Sequence, residues 1–537
     1  MGRMVTREPE AQTRPRPPEI RVLLALAAVA LTSLVLHLWG ITGDLPYAPD
    51  VDEPIFLQAA LRTLHHLSLN PGWFGHPGST TIYPIAALVE LWYLIAKHVP
   101  PFAHAMPPIS TEFVAAPMPF YVIGRFVSAA YGVASVGAMW LVARRVVGDA
   151  GGVLAILILP ATPILVAYGQ LVRTDTAGLF FVLMALWLIL RAMDLGRPGD
   201  WAFAAIAVGL AISSRYFFAM LFAPYGVAAW LSLRSSPRGA RILDRLRAWR
   251  APAVALLLVP VAFFATSPFV LLDVGRAISG IQAEAGGVHP GADGLSPLGN
   301  LAWYVGDVIP SVVSLGILIL ALGGAVIIAR RHGRAAAVLG AFGVTYLLAV
   351  SSSPLHWDRY VIPLLPLIGI AASAAVVGIR EALAGTVAGA RRRPLTSAIA
   401  AAILVVLLVP SFLTVAAADR LRAVPGTRAV ATDWVRANLP HGSRIAEEMY
   451  TTYPVAGDKA LRVFSLAIRS LDAYRAEGYR YLLWSSAMAE RYRDAVRYPG
   501  ESAFYASLES TGRLLARFEP GPDRAGPEIR VYEIALP

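Results

Sequence analysis

The chain has 537 residues, of which 56% are hydrophobic and only 15% are charged, and its formal net charge is +11. Soluble domains rarely depart so far from average composition, which excludes an ordinary soluble protein, and the lack of cysteine excludes disulfides, thiolate catalysis and cysteine-ligated zinc. In a membrane protein, arginines on cytoplasmic loops explain the positive charge, so no nucleic-acid partner is expected.

Eleven apolar segments are predicted to cross a membrane, because a crossing needs about 20 mostly apolar residues. Their approximate positions are 22–43, 121–146, 151–169, 176–193, 201–215, 217–233, 251–272, 309–329, 335–351, 360–379 and 396–417. The first is too long for a signal peptide and lacks a small-residue cleavage site, so we interpret it as a retained anchor. The head, residues 1–20, is rich in proline and charge and is predicted to be disordered.

The charges on the connecting loops orient these segments. The head and residues 234–250, 330–334 and 391–393 are rich in arginine, which favours the cytoplasmic side. Residues 44–79 and 273–308 carry mostly acidic charge, which favours the outer side. Eleven crossings then place the N-terminus in the cytoplasm and the C-terminus outside, with basic and acidic loops in alternation.

Residues 80–98 are apolar enough to be considered a further crossing. The segment is short, however, and it contains Pro84, Glu90 and Lys97. Counting it as a crossing would invert the side of every later loop. We therefore interpret it as a helix that lies in or re-enters the outer interface, within one long external loop at residues 44–119.

The composition changes after about residue 418, where charged residues become frequent. Residues 427–439 have the pattern of an amphipathic helix. Strand-like runs follow at Ser443–Ala446, Leu461–Ser465, Tyr479–Trp484, Leu514–Phe518 and Ile529–Ile534. The predicted fold is an α-helical polytopic membrane protein, residues 21–417, followed by a small extracytoplasmic α/β domain, residues 418–537.

Acidic residues gather where the first segment leaves the membrane, at Asp44, Asp50, Asp52 and Glu53. Such carboxylates bind a metal, take a proton or are simply solvated, and for an arbitrary acidic pair a solvated loop or a helix cap is the usual outcome. Here the pair opens a large loop that is rich in aromatic residues and proline, which favours a defined site.

Other charged residues lie at the outer ends of later segments. Arg173 and Asp175 flank Thr174 before the fourth segment, and either they pair locally or Asp175 faces a cavity. Arg215 lies in an apolar stretch and either snorkels to the interface or has a function. His356 and Arg359 begin the tenth segment, and with Arg215 and His76 they supply cationic or proton-carrying groups of the kind that hold a phosphate. His289 and Tyr304 are weaker candidates in residues 273–308, which form either a lid or a connector.

The order of these marks resembles the C-type glycosyltransferases (GT-C), in the branch related to protein O-mannosyltransferases and lipid A aminoarabinose transferases (glycosyltransferase family 39-like). The matching residues are Asp52-Glu53, His76-Pro77, Arg173-Thr174-Asp175, Ser213-Ser214-Arg215-Tyr216, the stretch from Ser267 to Asp273, and Arg359-Tyr360 with Pro363 and Pro366. The C-terminal domain is also similar to that of bacterial members, which implies the bacterial cytoplasmic membrane as the location.

The resemblance implies transfer of a sugar from a polyprenyl-phosphate donor to a glycan, lipid or protein acceptor at the outer face, with inversion. It implies that Asp52 is the general base, that Glu53 orients Asp52 or the acceptor, and that Asp175 helps to shape the site. Some relatives use a divalent metal and others do not. The sequence has no acidic triplet or histidine cluster, so we expect no obligatory metal and leave a divalent ion open.

Two other functions compete with this hypothesis. A transporter or flippase of a lipid-linked sugar would favour repeated halves and charges near the middle of the membrane, and the sequence has neither. A non-catalytic scaffold that carries the outer domain would leave the acidic loop without a role.

Overall fold

The computed structural model describes residues 18–46, 50, 52–100, 104–234, 242–286, 294–386, 393–453 and 460–536. Most of these residues are helical. The α-helices are α1 (Ile20–Leu38), α2 (Glu53–His65), α3 (Ser79–His98), α4 (Ile109–Ala115), α5 (Met118–Ile156), α6 (Pro163–Gly169), α7 (Asp175–Leu195), α8 (Pro198–Ser214), α9 (Phe222–Arg234), α10 (Ile242–Leu256), α11 (Leu258–Thr266), α12 (Phe269–Leu272), α13 (Val274–Ala285), α14 (Pro297–Trp303), α15 (Ile309–Val312), α16 (Leu315–Arg331), α17 (Gly333–Ser351), α18 (Leu365–Thr386), α19 (Arg393–Arg422), α20 (Thr427–Asn438), α21 (Leu471–Ala476), α22 (Ser486–Ala489) and α23 (Pro499–Thr511).

The molecule is a polytopic helical membrane protein. Within the described ranges, nine helical segments are long and apolar enough to cross a membrane, or ten if the bent pair Pro297–Val312 and Leu315–Arg331 counts as one span. The eleven predicted segments all fall on helical structure, although several contain breaks. The second runs into the third through α5, which is kinked at Gly148 (φ 72°). The eighth begins at Leu315 rather than near residue 309, because the chain bends by 115° before that helix.

Helix α3 covers the segment interpreted as interfacial, and by length and composition it also passes as a membrane span. Residues on both sides of it, Pro54 and Gln58 before and Phe113 and Tyr121 after, nevertheless line one and the same cavity. A crossing by α3 would therefore need a return crossing between α3 and α4, where the described residues form no helix. This geometry favours an interfacial helix, which stays a prediction.

The transmembrane part is organised around α5 and α7. Helix α5 packs against α1, α7 and α18, while α7 packs against α8, and α16 packs against α18. Their shared core holds fully buried side chains such as Met139, Leu186 and Phe342. Outward residues such as Leu322 and Val406 stay exposed, as expected where lipid replaces water.

The C-terminal part forms a five-stranded mixed sheet with helices packed beside it. Its strands are β1 (Ile445–Glu448), β2 (Ala460–Val463), β3 (Tyr481–Ser485), β4 (Arg513–Phe518) and β5 (Ile529–Glu533), in the order β2-β1-β3-β5-β4. Strands β2 and β3 flank β1 in parallel, and β5 pairs antiparallel with β3 and β4. The five predicted strands are confirmed within a few residues, and the carboxyl ends of β1, β2 and β3 share one edge.

The C-terminal domain is tied to residues 44–119; both are predicted to be outer, and they are named the outer domain and the first outer loop below. The backbone N–H of Gly426 donates a 2.9 Å hydrogen bond to the Asp44 carboxylate. That contact joins residues far apart in sequence and brings the strand ends of the sheet over the acidic loop.

Candidate active site

A cavity of about 690 Å³ lies where the first outer loop, the ends of several membrane helices and the outer domain meet. Its size falls in the range of roughly 300–1,000 Å³ that is usual for small-molecule sites. Its lining comprises Asp50, Asp52, Ile55, Phe56, Trp73, His76, Tyr168, Arg173, Glu284, Trp303, His356, Trp357, Asp358, Arg359, Tyr360, Met449, Tyr450, Phe464 and Arg491. The cavity therefore combines carboxylates, arginines and aromatic rings.

Asp52 is placed at the cavity wall by the start of α2. Its side chain keeps 30% of its surface exposed, and its Oδ2 lies 2.6 Å from Nη1 of Arg173 and 3.8 Å from Nη2 of Arg359. Both of these contacts are made by the same carboxylate oxygen. A carboxylate at a cavity wall, within reach of a bound hydroxyl, has the position that a general base requires.

Asp50 holds Arg173 in place from the other side. Nη2 of Arg173 donates to both carboxylate oxygens of Asp50 at 2.7 Å, and Asp50 also accepts the backbone N–H of Asp52 at 2.9 Å. Burial alone would raise the pKa of Asp50, but the adjacent Arg173 guanidinium outweighs it and holds the pKa below its usual value. Arg173 is thus shared between the carboxylates of Asp50 and Asp52.

Glu53 points away from the cavity, although it is adjacent to Asp52. It is fully buried and forms a two-point ion pair with Arg125, whose Nε and Nη2 donate at 2.8 and 2.9 Å. Glu53 also accepts the backbone N–H of Val172 at 2.9 Å. Successive residues of a helix point about 100° apart, so one residue faces the cavity and the next faces the core. Glu53 therefore positions the segment that carries Arg173.

Asp175 and Arg215 form a second buried pair just below the cavity. Nη2 of Arg215 lies 2.9 Å from Oδ1 of Asp175, and its Nε donates to the Thr174 hydroxyl at 3.1 Å. Neither side chain is among the residues that line the cavity. They connect the start of α7 with the end of α8, so they shape the wall behind Arg173 rather than the space itself.

Arg359 lines the cavity and is held against aromatic rings. Its guanidinium lies 4.8 Å from the ring centre of Trp357 and 5.7 Å from that of Tyr360. Its buried Nε has no hydrogen-bond partner in the described part of the chain. Its approach to Asp52, at 3.8 Å, is too long for a hydrogen bond.

His76 is held in an aromatic cluster at the cavity wall. Its ring lies 5.3 Å from Trp73 and stacks against Phe56 at 6.3 Å, and its Nδ1 pairs with the Gly75 carbonyl at 3.0 Å. Burial, reinforced by the nearby Arg215 and Arg359, holds the pKa of His76 well below its usual value. The imidazole is therefore neutral, and Nε2 can accept a hydrogen bond.

His356 also lines the cavity, with its ring 4.4 Å from that of Trp303. The Tyr304 hydroxyl lies beside it as the acceptor for the Trp357 backbone N–H at 3.3 Å. His289 lies outside the described residues.

The structure thus brings Asp52, His76, Arg173, His356 and Arg359 to one cavity. Glu53, Asp175 and Arg215 support it from behind. Sequence reasoning missed Glu284, which stands on α13, and the outer-domain residues Tyr450, Phe464 and Arg491. The usable signal was the position of Phe464 near the end of the predicted strand Leu461–Ser465, since ligands often bind where parallel strands end.

Comparison with known proteins gives one family model and several solved structures. The model for dolichyl-phosphate-mannose-protein mannosyltransferases matches residues 82–264, a range that includes Arg173, Asp175 and Arg215 but not Asp52. A search of curated proteins found no match.

Three solved structures align over most of this chain. ArnT from Cupriavidus metallidurans in the apo state has a TM-score of 0.53 and 15% identity, covering 95% of this chain and 97% of its own. ArnT bound to undecaprenyl phosphate has a TM-score of 0.53 and 13% identity, covering 96% and 98%. The oligosaccharyltransferase AglB from Archaeoglobus fulgidus, in complex with an inhibitory peptide and a dolichol-phosphate, has a TM-score of 0.55 and 12% identity, covering 92% and 73%. At these identities the likeness establishes a shared fold.

Proposed function

The chain has the C-type glycosyltransferase (GT-C) fold, and from this premise we propose that it transfers a sugar from a polyprenyl-phosphate donor to an acceptor hydroxyl. The observation that carries the proposal is the meeting of the Asp52 carboxylate with Arg173 and Arg359 in one aromatic cavity. The undecaprenyl phosphate in ArnT and the dolichol-phosphate in AglB support the choice of donor class.

In the proposed reaction Asp52 is the general base. The acceptor oxygen attacks the anomeric carbon while its proton moves to the Asp52 carboxylate, and the bond between that carbon and the phosphate oxygen breaks. The products are the glycosylated acceptor and polyprenyl phosphate. Because this is a single displacement, the configuration at the anomeric carbon is inverted.

The arginines balance the charge that builds up on the leaving phosphate. Arg359 supplies a planar guanidinium held over two rings, which suits a contact with phosphate oxygens. Arg173 contributes charge but is already held by Asp50 and Asp52. Electrostatic stabilisation of this kind is usually a large part of the rate enhancement.

Neutral His76 and the cavity carboxylates suit contacts with sugar hydroxyls. His76 offers Nε2 as an acceptor, and Asp358 and Glu284 line the same space. His356 lies at the Arg359 end of the cavity and completes the donor site. The identity of the sugar follows from no single contact, so a donor panel is needed.

We expect no obligatory metal, because Asp50 and Asp52 are both already paired with Arg173. Treatment with EDTA followed by dialysis should leave the transfer rate within about twofold of the untreated protein. A loss of activity that magnesium or manganese restores would contradict this expectation.

The proposed location is the outer face of the bacterial cytoplasmic membrane.

The test uses the purified full-length protein in lipid nanodiscs with a panel of undecaprenyl-phosphate sugars. Release of undecaprenyl phosphate is measured by mass spectrometry, with and without candidate acceptors. We expect wild type to turn over at least one donor and Asp52→Asn to lose more than 99% of the transfer rate, since an amide cannot take the proton. Asp307→Asn, at an exposed carboxylate that does not line this cavity, is the matched control. Full activity of Asp52→Asn would remove Asp52 as the base, and no turnover of any donor by wild type would overturn the assignment.

A further inference from the structure

A second cavity, of about 790 Å³, adjoins the candidate active site. The two cavities share four lining residues, namely Asp50, Met449, Tyr450 and Phe464. Asp50 accepts a hydrogen bond from the backbone of Asp52, so the shared boundary lies next to the proposed base.

The boundary is formed largely by the outer domain. Met449 and Tyr450 follow β1, and Phe464 follows β2, so all three stand at the carboxyl edge of the parallel strands. Tyr450 has φ +66°, a left-handed conformation that is unusual for a residue with a side chain. Backbone strain held at a cavity wall is a common mark of a functional contact.

The wall of the second cavity is aromatic and its charges are balanced. Its aromatic residues are Phe113, Tyr121, Tyr450, Tyr453 and Phe464. Its charged residues are three arginines (Arg428, Arg436 and Arg462) and three acidic residues (Asp50, Glu447 and Glu448).

Each of these charged groups already has a protein partner. Arg462 pairs with Glu447, and Arg428 lies 4.2 Å from the ring of Tyr453. Arg436 lies 3.8 Å from Asp433. Glu448 accepts two backbone N–H groups and the Tyr505 hydroxyl. The charged side chains of this wall are therefore held by protein contacts, and the wall carries as many acidic as basic residues.

We propose that the second cavity is the acceptor site and that it takes a saccharide. A sugar presents C–H faces that stack on aromatic rings, and its hydroxyls exchange hydrogen bonds with paired arginine and carboxylate groups. Neither contact requires net charge. The saccharide extends towards the shared boundary, where one hydroxyl reaches Asp52. This inference rests on the proposed transfer reaction and names its acceptor class.

The test fills the second cavity without touching the first. Arg436→Trp on α20 and Gln58→Trp on α2 place bulk on opposite walls, since both positions are exposed and neither lines the first cavity. Asp433→Trp is the matched control, because it breaks the same ion pair as Arg436→Trp but lies outside the cavity lining.

Two rates are measured with a donor that wild type turns over. One is hydrolysis of the donor by water, and the other is transfer to p-nitrophenyl glycosides or to a capped Ala-Thr-Ala peptide. We expect both cavity variants to raise the KM for the glycoside at least tenfold and to change donor hydrolysis less than twofold, with the control unchanged. An unaltered glycoside KM, an equal fall in both rates, or transfer to the peptide alone would overturn the acceptor assignment. If wild type neither hydrolyses nor transfers any donor, the proposed function itself fails.

A second measurement applies if the tryptophan variants misfold. The chain has no cysteine, so Val114→Cys places a single thiol at an exposed position of the second cavity. The accepted p-nitrophenyl glycoside should slow maleimide labelling of this thiol at least threefold and leave Val496→Cys, at a 94% exposed position of the outer domain, unaffected. Equal labelling with and without the glycoside would exclude the cavity as its site.

Discussion

At the scale of single residues, the site depends on which way neighbouring side chains turn. Asp52 and Glu53 are consecutive, yet one borders the cavity and the other is buried against Arg125. Likewise Arg173 reaches the cavity, while Asp175 two residues later pairs with Arg215 behind it. Charge alone therefore does not separate the residues that contact substrate from those that hold them.

The proposed role of Arg359 predicts a large effect of a conservative change. Arg359→Lys keeps the charge but loses the planar fork and the ring stacking, so kcat should fall by about 100-fold. Steady-state kinetics with the accepted donor measures this. Arg276→Lys, at an exposed arginine of the outer loop, should behave as wild type. An equal rate for Arg359→Lys would argue against a phosphate contact.

The buried pair of Glu53 and Arg125 predicts a stability effect. Glu53→Gln leaves the Arg125 charge buried without its counter-ion, which typically costs about 3–5 kcal/mol. The thermal unfolding midpoint in detergent should fall clearly. Glu381→Gln disrupts the exposed pair with Arg331 and should cost at most about 1 kcal/mol. Similar midpoints for the two variants would show that the Glu53 pair contributes little.

At the scale of elements, each strand or helix end contributes a few groups to a common place. The start of α2, the start of α7 and the end of α8 bring the acidic and basic residues together. The edge of the outer sheet adds the aromatic boundary between the two cavities. The ends of helices and strands suit the placement of side chains at a cavity, because their backbone is rigid while their side chains point outward.

Glu448, the last residue of β1, predicts a pH effect on the outer domain. Burial raises its pKa to about 7 despite hydrogen bonds from Leu466, Ser485 and Tyr505. The pKa of glutamate in the unfolded chain is about 4.3. Glu448 therefore favours the folded state below pH 4.3, and this contribution is lost as the pH rises through 7. The unfolding midpoint of wild type should therefore fall between pH 5 and pH 8.

The control for this effect is a variant that cannot ionise. Glu448→Gln should remove this part of the pH dependence, whereas Glu477→Gln, at an exposed glutamate, should retain it. Differential scanning fluorimetry across the pH range compares the three proteins. The same slope in Glu448→Gln as in wild type would exclude Glu448 as the group responsible.

At the scale of the whole molecule, function depends on the side of the membrane that the cavities face. The first outer loop and the outer domain border the same cavities, so they lie on one side together. Helix α3 lies between two stretches that line the second cavity. The topology therefore depends on whether α3 crosses the membrane or lies in its interface.

Single cysteines in this cysteine-free chain test the topology. We expect Leu69→Cys and Val114→Cys to react with a membrane-impermeant maleimide in intact cells, because both positions are exposed and belong to the outer loop. His332→Cys, in the turn between α16 and α17, should react only after the membrane is permeabilised. Labelling of residues 69 and 114 from opposite sides would show that α3 crosses. Cytoplasmic labelling of residue 69 would place the cavity on the wrong side for an outer-face enzyme.

The sequence by itself determined the features that short-range physics controls. Apolar runs predicted the helices, alternating patterns predicted all five strands of the outer sheet, and the acidic start of the outer loop led to Asp52. Each of these signals lies within a few residues of the chain. The motif order also pointed to the GT-C fold, which the structural likeness bears out.

Only the tertiary structure decided how these parts combine. It turned Glu53 inward, placed Asp175 and Arg215 behind the wall, and brought Tyr450 and Arg491 to a site that begins about 400 residues earlier in the chain. The physical reason is that such contacts depend on how whole helices and sheets pack, and no local pattern encodes the relative position of two distant surfaces. The second cavity exists only because the outer domain folds back onto the first outer loop.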